Sequence, residues 1–305
     1  MHAMFSYRHA FHAGNHADVL KHSVLIAVTQ YMTEKPVALN VIDTHAGAGL
    51  YRLDSEHALL SGEIKEGFQL LQQAAKTHAP PPMVAQYLEM VAQFNPAKSA
   101  AIYPGSPFIV QRMLGDRDKL KLFELHPTDA RLLEGHVRQL EAGRQVAVLR
   151  EDGFESLKKL LPPPSKRALV LMDPSYEIKT DYAKVSACIQ DALRRFATGT
   201  YMVWYPLIAR AEAHDLPKRL KTLANQARRP WLHVSLTTKS AKFTPLPQQL
   251  LDGARQERPG LPGSGVFLIN PPYTLKALLE ESMPYLKEHL GQDGHAQFHI
   301  EHGGA

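Results

Sequence analysis

Short apolar runs recur along the chain, separated by longer stretches of helical periodicity, which is the pattern of a parallel sheet wound by helices. Seven runs read as strands: Leu39–Asp43, Lys121–Leu125, Gln145–Arg150, Ala168–Asp173, Tyr201–Tyr205, Trp231–Leu236 and Gly265–Asn270. Asn15 to about Glu34 reads as a helix, with Asn15 or Asp18 near its cap and an apolar face including Val19, Leu20, Leu25 and Ile26. The pattern predicts a doubly wound α/β fold forming a single domain over residues 1–305.

One spacing is abnormal for such a fold. In nucleotide-binding units the acid that holds a ribose follows the first glycine turn by about 20 residues, whereas here the next strand-terminal acid is Glu124. The intervening segment, about 53–103, reads as a helical insertion: a helix over Gly62–His78, a break at Ala79-Pro80-Pro81-Pro82, then a helix over Met83–Phe94. Tyr103-Pro104-Gly105-Ser106-Pro107 closes it, with Ser106 able to cap the next helix and Pro107 suited to its first position. Thr237–Ser264, rich in Pro, Gly and basic residues, reads as a surface loop.

Composition adds class and partner. With 44% hydrophobic and 21% charged residues, the 305-residue chain has the make-up of an ordinary soluble protein, long enough to bury a sizeable core. A net charge of +5 and sixteen histidines favour a polyanionic partner. Cys188 is the single cysteine, which excludes an internal disulfide and fits a reducing compartment. No signal-like or membrane-spanning apolar run is present, so the expectation is a cytoplasmic protein without membrane contact.

The candidate chemistry lies at the strand ends. Val41-Ile42-Asp43-Thr44-His45-Ala46-Gly47-Ala48-Gly49 carries a strand into a glycine turn, where Gly47 and Gly49 allow the backbone to approach a ligand closely. An acid followed by G-x-G resembles the first motif of S-adenosylmethionine (SAM) methyltransferases, and seven strands suit that version of the Rossmann-like fold. Asp43, Glu124, Asp152 and Asp173 then follow one another at successive strand ends, where open α/β sheets bind ligands. Glu124 can accept two ribose hydroxyls, and Asp152, beside Gly153, can accept an adenine amine.

Leu169-Val170-Leu171-Met172-Asp173-Pro174-Ser175-Tyr176 resembles the Asp/Asn-Pro-Pro-Tyr/Phe motif of amino-group methyltransferases. An exocyclic amine is a poor nucleophile because its lone pair is delocalised into the ring. Asp173 and the Pro174 carbonyl can accept its two N–H groups and turn the lone pair towards a methyl donor. Tyr176 is then expected to stack on the base. Ser175 replaces the motif's second proline, which removes a constraint on residue 174. A rival, Asn270-Pro271-Pro272-Tyr273, matches letter for letter but follows the last strand rather than the fourth. The histidine-rich run from Tyr7 to His22 admits three readings: a His12/His16 metal pair, a hydrogen-bonding surface, or a basic and aromatic lip that grips phosphate and stacks bases. No matched acid follows the histidine pair, so no metal is expected.

The N-terminal run, Asp43 to Gly49, Tyr103 to Pro107, Glu124-Leu125-His126-Pro127 and Asp173 to Glu177 together resemble the bacterial large-subunit ribosomal RNA adenine-N6 methyltransferase family, RlmJ, over nearly the whole chain. The resemblance implies SAM as cofactor, bound or lined by Lys21, His22, His45, Ser106, Glu124, Asp152, Gly153 and Asp173. It implies contact of Tyr7, with neighbouring Arg8 and His9, to RNA, and transfer of a methyl group to N6 of one adenine in 23S rRNA by a metal-free monomer. Methylation of DNA adenine or of a protein glutamine amide remains open, as does a non-catalytic rRNA-binding assembly factor.

Overall fold

The computed structural model describes residues 12–53, 63–96, 101–240 and 260–304. Its main sheet has eight strands. β1 (Asn40–Asp43), β4 (Lys119–Phe123), β5 (Val146–Leu149), β6 (Ala168–Met172) and β7 (Thr200–Pro206) are parallel, in the order β5-β4-β1-β6-β7. β9 (Gly263–Ile269) then pairs antiparallel with both β7 and β8 (Trp231–Thr237), and β10 (Gln297–Gly303) lies antiparallel at the β8 edge. All seven expected strands form, and the sheet is mixed rather than purely parallel. The eighth strand was outside the expectation, because Phe298 and Ile300 are the only large apolar residues in Gln297–Gly303.

Alternation along the strands builds two cores, one on each face. Val41, Leu120, Leu122, Leu169 and Leu171 join one cluster, with the helices α1 (His16–Thr33), α3 (Pro82–Ala92), α4 (Ser106–Met113) and α9 (Leu275–Leu290). Ile42, Phe123, Val170, Met172 and Val203 join the other, with α7 (Thr180–Arg195) and α8 (Ala211–Gln226). Tyr182, Val185, Ile189 and Ala192 form the apolar stripe of α7, at helical spacing.

Asn15 caps α1 by accepting from the backbone N–H groups of Ala17 and Asp18, both at 2.9 Å. The helix is not merely amphipathic: His16 to Thr29 are all buried, and α1 packs on α3, α4, α9 and β9. It therefore carries Asp18, Lys21 and His22 into the interior.

Within 53–103, a hairpin of β2 (Leu50–Arg52) and β3 (Ile102–Pro104) brackets the segment. The expected Gly62–His78 helix is instead a 3-10 turn, Glu63–Glu66, followed by α2 (Phe68–Ala74). Gly67 makes the break. Its backbone lies so close to Gly14 that a Cβ would sit 2.2 Å from the Gly14 carbonyl oxygen, and Phe68 N–H donates to that oxygen. Ser106 is the first residue of α4 rather than its cap; Gly105 takes the cap position, and the Ser106 side chain is used elsewhere.

The remaining helices, α5 (Pro127–Gln139) and α6 (Gly153–Leu157), follow β4 and β5. Among the described residues, no helix is long and apolar enough to cross a membrane.

Candidate active site

The strand order reverses at β1, which has β4 on one side and β6 on the other, so a crevice opens at the carboxyl ends of these strands. A cavity of about 280 Å³ lies there. Lys21, His22 and His45 line it, as do Gly47, Ser106 and Glu124. Asp152, Gly153, Asp173 and Pro174 complete the predicted residues it brings together. Tyr7, Arg8 and His9 fall outside the described residues.

At the first turn, Gly47 adopts φ +61°, and its N–H donates to Glu124 Oε2 at 2.8 Å. The His126 N–H donates to Glu124 Oε1 at 2.7 Å. Two backbone donors thus orient the carboxylate. Burial raises its pKa above the usual carboxylate value, against the pull of these two hydrogen bonds.

Asp152 caps α6 through Oδ1, which accepts from Phe154 N–H at 2.9 Å. Gly153 abuts β1: a Cβ there would lie 2.2 Å from the Thr44 carbonyl oxygen. The Phe154 ring meets the His45 ring edge-on at 4.6 Å. Burial lowers the His45 pKa to about 4, so the ring is neutral at neutral pH and offers a hydrogen bond rather than a charge. His22 is also buried and shares a 2.9 Å hydrogen bond with Tyr103 Oη, which in turn bonds Tyr87 Oη at 3.0 Å.

Asp173 follows β6, and its side chain is 14% exposed. Lys21 Nζ lies 2.6 Å from Asp173 Oδ2 and 2.8 Å from Asp18 Oδ1. Burial alone would lower the lysine pKa, but the two carboxylates outweigh it and hold Lys21 above its ordinary value. The pair joins α1 to the end of β6.

Three predicted residues do not present themselves to the cavity as expected. Asp43 is buried behind it, accepting from Ser106 Oγ at 2.6 Å and from His45 N–H at 3.2 Å, so it braces the turn rather than meeting a ligand. Gly49, at φ +81°, faces Phe108 and Leu133. Tyr176 is 2% exposed; its ring lies 4.5 Å from that of Tyr182 and its hydroxyl donates to the Trp204 carbonyl at 2.7 Å. The expectation of a base stacked on Tyr176 is therefore corrected: at φ +54° the chain turns this ring into the core.

Asn270 also receives a clear position. It follows the antiparallel β9 and so lies at the opposite end of the sheet from Asp173. Its amide donates to the carbonyls of Ala197 and Gly199 at 2.9 and 2.6 Å, which is a structural use. Residues that sequence reasoning missed, Phe154, Asp181 and Lys184 among them, also line the cavity. Phe154 stood beside the Asp152-Gly153 pair and could have been found there. His12 bonds Glu63 at 2.9 Å and His16 bonds the Leu261 carbonyl at 2.8 Å, so the two histidines point to different partners. Among the described residues, no group of three or more His, Cys, Asp and Glu side chains is placed to hold a metal ion.

A family model described as "Ribosomal RNA large subunit methyltransferase D, RlmJ" matches residues 35–300. The chain belongs to the RlmJ family. Its RlmJ relatives include proteins named "Ribosomal RNA large subunit methyltransferase J". The one from Escherichia coli (strain K12) is 39% identical over 295 residues, covering 96% of this chain and 97% of the relative. The one from Haemophilus influenzae (strain ATCC 51907 / DSM 11121 / KW20 / Rd) is 36% identical over 299 residues, covering 98% of each. A crystal structure of a Legionella pneumophila protein superposes with a TM-score of 0.81 at 31% identity, covering 96% of this chain and 98% of that one. RlmJ membership makes this chain a methyltransferase, and its fold is of the Rossmann-like methyltransferase class.

Proposed function

We propose that this chain transfers the methyl group of SAM to N6 of one adenine in 23S rRNA, acting as a cytoplasmic, metal-free monomer built as a single methyltransferase domain with an insertion at about 53–103. The ribosomal RNA acceptor accords with the names of its relatives. The observation that carries the chemistry is the meeting of Asp173, Pro174 and Glu124 in one cavity at the strand ends.

The cavity's donor set fits SAM. Glu124 is held by two backbone N–H groups with its carboxylate at the cavity wall, suited to a ribose diol. Asp152 and Phe154 supply an acceptor and an apolar ring for a purine. Carboxylates around the space favour a cationic ligand. When bound, SAM supplies an electrophilic methyl group on a positively charged sulfur.

The chain's own residues prepare the acceptor nitrogen. With Lys21 on Oδ2, Asp173 keeps Oδ1 to accept one N–H of the target amine, and the Pro174 carbonyl takes the other. Both acceptors strengthen as the nitrogen gains positive character, so they stabilise the transition state more than the ground state. Lys21 fixes the rotamer of Asp173 by holding its Oδ2. The base must be unstacked to enter, which favours a looped or loosely paired site. Neutral His45 and Ser106 border the same space without adding charge against the sulfonium.

Incubating the protein with labelled SAM and, separately, unmodified 23S rRNA, adenine-containing DNA and a glutamine-bearing protein tests this reading. Label recovered as N6-methyladenine at one rRNA site supports it; label in DNA or protein alone, or SAM binding without transfer, overturns it.

A further inference from the structure

The charge on this protein is unevenly distributed. Among the described residues, seven carboxylates and only two lysines line the active-site cavity. The net charge of +5 therefore has to be expressed elsewhere. Topology shows one place: the opposite end of the sheet, where the parallel strands begin and β9 ends. Arg117, Arg144, Lys166 and Arg228 stand in the turns that enter β4, β5, β6 and β8, Lys119 opens β4, and Lys35 lies in the turn from α1 to β1. All six are exposed.

Other exposed cations are held in ion pairs, Lys158 with Glu155, Arg195 with Asp191 and Lys276 with Glu280 among them. Among the described residues, none of the six has a carboxylate within ion-pair distance; Arg117 and Lys119 reach only backbone carbonyls, at 3.4 and 3.5 Å. Asp118, the nearby buried acid, is spent on the backbone N–H groups of Leu39 and Gly115. The turns that carry these cations also hold three exposed acids, Glu34, Asp116 and Glu141, half the number of the six cations. Lys166 and Arg228 also hold φ of +52° and +53°, a backbone region where glycine or asparagine is less strained.

An aromatic residue completes the surface. Tyr273 is 82% exposed and follows β9 at the same end, with Tyr31 edge-on to it at 5.6 Å. Unpaired cations around an open aromatic face fit single-stranded or looped RNA, with phosphates on the cations and an unpaired base on the ring.

We infer that this end of the sheet is a second RNA-binding surface, which grips a segment of the acceptor RNA remote from the target adenine. This rests on the rRNA reading above. The two surfaces lie at opposite ends of the parallel strands and face away from each other, so a minimal hairpin seated in the active site is held at one end only, whereas a long rRNA can contact both.

The test compares wild type with the K35Q/R117Q/K166Q/R228Q variant, none of whose positions lines the active site. Binding of full-length 23S rRNA and of a short hairpin bearing the target adenine is measured across a salt series without methyl donor. Transfer to each is then measured with SAM. The variant is expected to bind the long RNA at least tenfold more weakly, with the slope of log Kd against log salt reduced by about 3. Its binding and methylation of the hairpin stay at wild-type values. Unchanged affinity and slope for the long RNA overturn the inference, as does equal weakening on both RNAs. If the fourfold variant does not fold, R117Q and Y273A singly are expected to weaken the long RNA severalfold and spare the hairpin; no change in either overturns it. Wild type that binds long RNA salt-dependently yet methylates neither RNA refutes the methyl-transfer reading, while the binding comparison still decides the surface.

Discussion

Lys21 Nζ bridges Asp173 and Asp18, 2.6 Å from the first carboxylate and 2.8 Å from the second. One helix residue thereby ties the end of β6 to the buried turn at Gly14, whose N–H donates to Asp18 at 2.9 Å. Removing it leaves two carboxylates without their cation, and an uncompensated buried charge costs about 3–5 kcal/mol. Lys21→Met is expected to lose stability on that scale and to lose methyl transfer. The two carboxylates hold the folded-state pKa of Lys21 above its ordinary value, so its contribution to stability is fully present throughout the neutral range, and denaturant unfolding at pH 7 beside a methyl-transfer assay checks both losses.

Glu124→Gln tests the ribose-facing carboxylate. The glutamine side chain must present its NH₂ to either the Gly47 or the His126 N–H, donor against donor. Hydrogen bonds to charged groups contribute about 1.5–3 kcal/mol. Calorimetry should therefore show SAM affinity falling roughly 10- to 100-fold, with kcat at saturating SAM little changed.

Asp43 gives a pH signature. Burial pushes its pKa up to about 6, although Ser106 and the His45 N–H pull the other way. A folded-state pKa above the unfolded value means that its contribution to stability is full below about pH 4 and is lost as pH rises through about 6. Asp43→Asn does not titrate. Relative to wild type it should therefore gain up to roughly 3 kcal/mol between pH 4 and pH 7, read as a widening difference in Tm.

Gly153 is a packing constraint. A Cβ would sit 2.2 Å from the Thr44 carbonyl oxygen and 2.7 Å from its Cα, and backbone atoms cannot move aside as a flexible side chain can. Gly153→Ala is expected to separate α6 from β1, lowering Tm by an amount corresponding to about 1–3 kcal/mol and weakening SAM binding measured in parallel.

Much of this site is legible in the sequence because one rule brings it together: parallel strands deliver their carboxyl ends to the same side, so Glu124, Asp152 and Asp173 meet whatever the loops do. The seven strands are legible for a related reason, since each is an apolar run covered on at least one face. Side-chain direction is not. Whether Asp43 points at a ligand or at Ser106, and whether Tyr176 lines the cavity or turns inward at positive φ, depends on one or two backbone torsions. Lys21 could be named from the family resemblance, but its pairing with Asp173 needs α1 buried in the interior, which its sequence alone does not announce. The edge strand Gln297–Gly303 carries too few apolar residues to announce itself, and the strands of the β2–β3 hairpin are only three residues each, too short to show a period.

The two Pro-Pro-like motifs also separate cleanly, because Asn270 lies at the far end of the sheet with its amide holding the Ala197 and Gly199 carbonyls. Transfer of labelled methyl from SAM to unmodified 23S rRNA should be measured with wild type, Asp173→Ala and Asn270→Ala, each first shown to be folded. Loss of an acceptor aimed at developing charge costs about 10²–10³ in rate, so Asp173→Ala should be nearly inactive while Asn270→Ala keeps its turnover with a lower Tm. An active Asp173→Ala beside an inactive but folded Asn270→Ala would contradict the assignment of the catalytic acid.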